Sequence, residues 1–404
     1  MSFLNINGLI MNGINLGKGI IDIVKFIVSQ TSYIKDSTTQ TGFGYSVSTD
    51  GSNVVVGAYR SSTLDGAAYI STVGDDYTMS SPTVITRVVQ ASSSTQKTWF
   101  GFSVAIDGDW MAISAPYDNL GAVYVYQKTN GTWSTSPVQT LLPDNLNTGN
   151  ITGNVFGFSI SMKNNILAVG YPGYNGTYGG LAIFQLNNGT WTQLTVDNTS
   201  YSNTIRYGYS VSTDGTTVVV GGVSSTTSGS TGAGGICIFN ISGTTVSKLT
   251  ELQAPDTYAG GNNNFGYSVC VSNNIIAVGA PNIPSTSGLI FLYDTSSNYN
   301  QSLSVGTTSG NIIDENTKTT DKIGSSVSIC NSGNIIIAGA PGYSSNKGTA
   351  YVFEKISNQW QSSGLENSML SPSPTETTFG TSVSSSGTFI VVSAYAPGYV
   401  FSYH

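Results

Sequence analysis

A chain of 404 residues that is 39% hydrophobic and only 9% charged can bury a real core, which excludes an intrinsically disordered protein. Its net charge of −7 comes with no Lys/Arg run, which argues against a nucleic-acid binder. The single histidine, His404, is the last residue and the three cysteines, Cys237, Cys270 and Cys330, form no Cys-x-x-Cys pair, so imidazole-based catalysis, zinc binding and thioredoxin-like chemistry lack their side chains.

The chain opens with "MSFLNINGLIMNGINLGKGIIDIVKFIVSQ", an apolar stretch interrupted by Asn, Gly, Lys18, Asp22 and Lys25. It has neither the basic start and unbroken apolar run of a cleaved signal peptide nor the apolar length of a membrane span. Residues 1–22 are expected to form an N-terminal extension that docks on other protein subunits. Packing under the chain's own fold is the second reading and a membrane surface the least favoured.

From Phe43 the sequence repeats itself. "FGYSVSTDGSNVVVGAY" returns as "FGFSVAIDGDWMAISAP" from Phe100 and as "FGYSVCVSNNIIAVGAP" from Phe265. Seven units start at Phe43, Phe100, Phe156, Tyr207, Phe265, Ile323 and Phe379, at intervals of 57, 56, 51, 58, 58 and 56 residues. Each holds four strand-like runs; in unit two they are "FGFSVAI", "DWMAISA", "GAVYVYQ" and "WSTSPVQTLL". Val, Ile, Thr and Tyr suit strands, Gly and Asn suit turns, and no helical period intervenes. The predicted fold is all-β, a seven-bladed β-propeller of four-stranded blades over residues 23–404. The cysteines fall inside strands and read as buried free thiols.

Two further patterns fit a closed ring. The residue after each unit start is glycine, as a sharp bend or a close approach requires. The fifth residue after each start is small: Ser48, Ala105, Ser161, Ser212, Cys270, Ser328 and Ser384. Inner strands crowd toward a central axis, so small side chains are needed there. The seventh unit ends at "GYVFSYH", one strand short, while the residues before Phe43 have no unit of their own. A strand within Ile23–Ile34 is therefore expected to complete the last blade and pair both open edges.

Aromatic-Gly-x-Ser-Val, then Val-Gly-Ala-Pro at Val278–Pro281 and its relative at Ala338–Pro341, then "GTAYVF" at Gly348–Phe353, resembles the FG-GAP repeat. That repeat builds the seven-bladed propeller of integrin α-subunits and of many surface proteins of bacteria and large DNA viruses. The resemblance covers about residues 43–404 and implies a non-enzymatic surface protein. Calcium-binding members carry a run of Asp/Asn ligands in the turn between the first two strands. Here that turn shrinks to forms such as "STDGSN" and "AIDGDW", and Asp107 with Asp109 is the best remaining pair. Two carboxylates fall short of the six or more oxygens a hard cation takes, so no metal and no other cofactor is expected. Asp-Gly reads as turn chemistry.

Loop lengths divide the molecule in two. First-to-second and third-to-fourth connections are tight turns, whereas second-to-third and blade-to-blade connections are long. Alternating strand direction puts the long ones on one face, a loop crown, and leaves the other face flat. Binding is expected at the crown, where Tyr59, Tyr117, Tyr171, Tyr174, Tyr178, Tyr343 and Tyr395 fall in or beside the loops. Asn-x-Ser/Thr acceptors for glycosylation occur at Asn130, Asn150, Asn175, Asn188, Asn198, Asn240 and Asn300. Asn130 and Asn188 also belong to Asn-Gly turns, which demand a positive φ anyway.

The first functional reading is a structural or assembly subunit on a virion or cell surface, anchored by its extension and displaying the crown for recognition. The alternative is a secreted or cell-surface adhesion module that binds a glycan or a protein at the crown. A two-carboxylate glycosidase is the remote third, drawing on Asp65, Asp118, Asp144, Asp256, Asp314, Glu315 and Glu376, which show no catalytic spacing in the linear sequence.

Overall fold

A computed structural model describes residues 5–6, 9–10, 30–35, 42–60, 66–85, 98–143, 155–172, 179–197, 205–224, 234–255, 263–283, 286–297, 299, 301–305, 320–330, 333–356, 359–361, 368–370, 377–396 and 398–404. They form seven antiparallel sheets plus a two-by-two-residue ladder at Asn5–Ile6 and Leu9–Ile10. Blade 3 shows the pattern with Ser159–Lys163, Ile166–Tyr171, Gly180–Asn187 and Thr190–Asp197 paired in chain order. The first strand of each blade contacts the first strand of the next, and Thr377–Ser386 of blade 7 returns to Phe43–Thr49 of blade 1. The array is therefore a ring, a seven-bladed β-propeller with first strands innermost.

The burial of each strand follows from its place in the blade. Second strands such as Asn53–Ala58, Ile275–Ala280 and Ile335–Ala340 are buried along their whole length. Neighbouring blades cover both of their faces, so the sequence writes them as continuous apolar runs. The outermost strand of blade 4, Thr245–Gln253, is largely exposed and correspondingly polar. The seven unit-opening residues are all sealed in the core; Phe43, Phe100 and Phe265 have no exposed surface. Each such burial contributes about 1.5–3 kcal/mol.

The seam between blades explains the repeated motif. Gly101 has φ +86°, and a Cβ there would lie 2.1 Å from the Ala67 carbonyl oxygen. From the facing blade, Gly57 and Gly66 approach so closely that a Cβ on either would lie 2.0 Å from the carbonyl of Gly101 or Phe100. Three motif glycines thus meet at one backbone junction, where Gly66 also bridges Phe100. Serine hydroxyls stitch the same seam. Ser210 Oγ donates to the Gly266 carbonyl at 2.7 Å and Ser268 Oγ to that of Gly324 at 2.8 Å. Five residues after the unit starts, Ser48, Ser161, Ser212 and Ser384 accept from the backbone N–H of Ile106, Thr213, Val271 and Thr49 on the next blade. The small ring residues thus also satisfy backbone donors on neighbouring inner strands.

Blade 7 closes with a strand from the start of the chain. Gln30–Lys35 pairs antiparallel with Tyr399–Tyr403, Ile34 facing Val400. It occupies the end of the expected window and runs one residue past it; residues 23–29 lie outside the described set. Blade 1 clasps this strand from the other side. Thr31 Oγ1 donates to the Tyr77 carbonyl at 2.8 Å, and the Met79 N–H donates to Ser32 Oγ at 2.8 Å.

Some elements differ from expectation. The fourth strand of blade 2 is two pieces, Thr132–Trp133 and Gln139–Leu141, both paired with Ala122–Thr129. Pro137 has no N–H to give a ladder and sits in the break. Blade 6 is interrupted likewise at Gln359–Gln361 and Ser368–Leu370. The Asp-Gly turns are side-chain caps. Asp50 Oδ1 accepts from the N–H groups of Ser52 and Asn53, and Asp214 Oδ1 from those of Thr216 and Thr217.

Candidate functional site

Each unit opens with a tight turn. The Phe102 N–H donates to the Trp99 carbonyl at 3.1 Å and the Phe158 N–H to that of Val155 at 3.1 Å. With glycine at the third turn position and φ near +85°, this is type II geometry. It turns the second residue after each start toward the axis. Those residues are Tyr45, Phe102, Phe158, Tyr209 and Tyr267 in blades 1–5, then Ser325 and Thr381. The five rings touch in succession, with centroids 4.9 Å apart for Tyr45–Phe102 and Phe102–Phe158, 5.0 Å for Phe158–Tyr209 and 5.1 Å for Tyr209–Tyr267. They form an aromatic collar where the inner strands begin, on the crown side.

A second tier of rings extends the collar over blades 7, 1 and 2. Tyr59 lies 4.4 Å from Tyr45 and 5.1 Å from Trp99, and Trp99 lies 4.2 Å from Tyr117. Tyr395 meets Tyr45 edge-on at 5.7 Å. Trp99 has φ +59°, a left-handed conformation that costs a bulky residue energy and that clusters at functional sites. Two arginines sit against these rings: Arg60 at 5.3 Å from Tyr59, and Arg206 at 5.3 Å from Tyr209 and 5.9 Å from Phe158. Burial holds the phenols of Tyr45, Tyr59 and Tyr209 well above the usual tyrosine range, so all three stay neutral donors. Trp99, Tyr117 and Tyr395 are half-buried and Arg60 is exposed, which leaves the tier open to a partner.

Among the crown tyrosines, the structure gathers Tyr59, Tyr117 and Tyr395 into this tier. Tyr171 falls elsewhere: only 2% exposed, it ends the second strand of blade 3 and packs on Phe156 at 6.3 Å. It is a core residue and not part of an open crown surface, because the strand runs one step further than its loop-like sequence suggests. Tyr343 packs against the core shared by blades 5 and 6. Tyr174 and Tyr178 lie outside the described residues. The collar, Trp99 and both arginines are absent from the sequence-based candidates. A signal did exist, since the third letter of the unit is aromatic in five of seven.

Asn130 and Asn188 are exposed at Asn-Gly turns on the flat face with φ +50° and +49°. Asn240 lies within strand Gly235–Ser242, half-buried. Asn150, Asn175, Asn198 and Asn300 are outside the described residues. Asp107 accepts from Lys163 Nζ at 2.7 Å and from the Asn164 N–H at 2.8 Å, an interblade contact. Among the described residues no three His, Cys, Asp or Glu side chains converge as a metal site. Of the candidate acids only Asp118 is described, and it accepts from the Tyr124 hydroxyl. Cys237 and Cys330 are buried and Cys270 half-buried, and none forms a disulfide; burial pushes Cys270 and Cys330 up to about 11.

The fold and this axial arrangement define a β-propeller. Residues 35–71 and 88–126 match the family model of the FG-GAP repeat. The molecule is a seven-bladed β-propeller with FG-GAP repeat matches in and beside its first two blades, a fold that suggests a protein-interaction or adhesion module. Among solved structures, a chain in a complex of a Dbp5 variant from S. cerevisiae with Nup159, a Gle1 variant, IP6 and ADP aligns at 10% identity and a TM-score of 0.48, covering 93% of this chain and 94% of that one. No curated protein matches the chain.

Proposed function

We propose that this propeller is a non-catalytic docking subunit that takes a protein partner on its crown, over the tier of Tyr59, Trp99, Tyr117 and Tyr395. The observation that carries this reading is the continuous ring cluster itself, flanked by Arg60 and Arg206. Tyr, Trp and Arg are the side chains that dominate binding hot spots, and the half-buried Trp99, Tyr117 and Tyr395, backed by buried Tyr59, lose little entropy on contact. The extension at residues 1–22 serves as a second tether to an assembly on a virion or cell surface. A glycan-binding adhesion module is the second reading, favoured by the same rings. The glycosidase reading has no described pair of acids to support it.

Selection of a displayed peptide library on the purified protein tests the crown. Selected peptides are expected to bind wild type and to lose at least tenfold in affinity to Trp99→Ala and Tyr117→Ala, about 1.4 kcal/mol or more. A flat-face variant, Thr132→Ala, should bind unchanged. Peptides that bind Trp99→Ala and Tyr117→Ala as tightly as wild type would refute the crown as the docking face.

A further inference from the structure

The propeller axis has a second feature, at the opposite end from the collar. The inner strands enclose a cavity of about 620 Å³, within the size range of small-ligand sites. Its wall includes ring residues Ser48, Ser161, Ser212, Cys270, Ser328 and Ser384, and its mouth is set by the first-to-second-strand turns. It opens on the flat face. Three residues up each inner strand, about 10 Å at the usual rise, the aromatic collar lies at the crown end of blades 1–5. The cavity is therefore an axial well with its polar mouth on the flat face.

The chemistry of the wall selects a ligand. Ser48, Ser161 and Ser384 each accept one backbone N–H from the next blade. Among the described residues none of the three donates its own hydroxyl proton, so three O–H donors are available to the well. Ile106 and Met162, 4% and 6% exposed, add only a little apolar surface to the same wall. Formal charge is confined to the mouth. There Lys163 is already paired with Asp107, and Asp214 leaves the balance negative, which disfavours an anion. A ligand that fits must be uncharged, carry several acceptor oxygens and show apolar C–H surface between them.

We propose that the axial well binds a neutral polyhydroxylated ligand, a single sugar residue entering from the flat face. This site is independent of the crown reading. Alanine at this ring position is already native at Ala105, so removing one hydroxyl there is compatible with the fold. Ser272 lines the mouth and makes no side-chain hydrogen bond among the described residues, so Ser272→Trp obstructs entry without breaking one.

The test is calorimetry and saturation-transfer NMR on the full chain. The probes are methyl glycosides of glucose, galactose, mannose and N-acetylglucosamine, the same sugars at the non-reducing ends of oligosaccharides, and inorganic phosphate. At least one sugar should bind with 1:1 stoichiometry, weaken at least tenfold in Ser272→Trp and about threefold in Ser161→Ala, and be unaffected by Trp99→Ala. Binding of the free glycoside alone would identify a small-molecule site, and binding of the oligosaccharide as well a glycan-end site. Circular dichroism checks folding, and Ser384→Ala replaces Ser272→Trp if that variant misfolds. Absence of binding by every sugar, undiminished binding in the obstructed and hydroxyl-deleted variants, or binding of phosphate in place of sugar would overturn the proposal. Peptide binding at the crown that persists in Ser272→Trp keeps the two sites experimentally separate.

Discussion

Gly101 carries more constraint than its missing side chain suggests. Its backbone is left-handed, and the Ala67 carbonyl occupies the space of a Cβ. Gly101→Ala therefore combines the cost of a left-handed alanine with a clash against backbone, which cannot swing away as a side chain can. The expected loss is about 2 kcal/mol or more of unfolding free energy, read as a lower denaturation midpoint in urea. Gly131 makes the control, because it also has positive φ but nothing within 4 Å of where a Cβ would lie. Gly131→Ala should cost only the conformational part. Equal losses in the two variants would show that the seam is looser than described.

At the level of elements, closure rests on six residues. Gln30–Lys35 supplies the missing edge of blade 7, buries Ile34 beside Phe43 and Val400, and is clasped by blade 1 through Tyr77 and Met79. Placing a carboxylate at Ile34 would strand a charge in that core. Ile34→Asp is expected to cost about 3 kcal/mol or more. Hydrogen exchange should quicken in both Tyr399–Tyr403 and the 74–80 loop. Quickening in blade 7 alone would mean the clasp does not couple the first and last blades.

Much of this architecture is legible in the sequence because it repeats. Seven unit starts, four runs per complete unit, a last unit one strand short and an unassigned strand before the first are enough to predict a closed seven-bladed ring. The collar is harder to see. Tyr45 or Phe158 looks no different from a core aromatic such as Phe43 until the type II turn fixes which way it points. The serine stitches are hidden for another reason: Ser48 and its donor on Ile106 are a full blade apart, so the pairing exists only in the folded ring. Tyr171 misleads because "GYPGY" reads as loop while the strand continues through its first tyrosine. The broken outer strands of blades 2 and 6 also follow from local interruptions that a period-based reading smooths over.

For the whole molecule, the claim is that the disc has two unlike faces: a ring-bearing crown that meets a macromolecule, and a flat face of tight turns pierced by a polar axial well. Hydroxyl-radical footprinting with mass spectrometry reads that difference directly, since tyrosine and tryptophan are reactive probes. The comparison is between the purified chain and the same chain in the assembly isolated from its natural source. Protection is predicted at Trp99, Tyr117 and Tyr395, with Trp133 beside the flat-face turn at Asn130 unchanged. Protection of Trp133, with the three crown rings as reactive as in the free chain, would contradict the account.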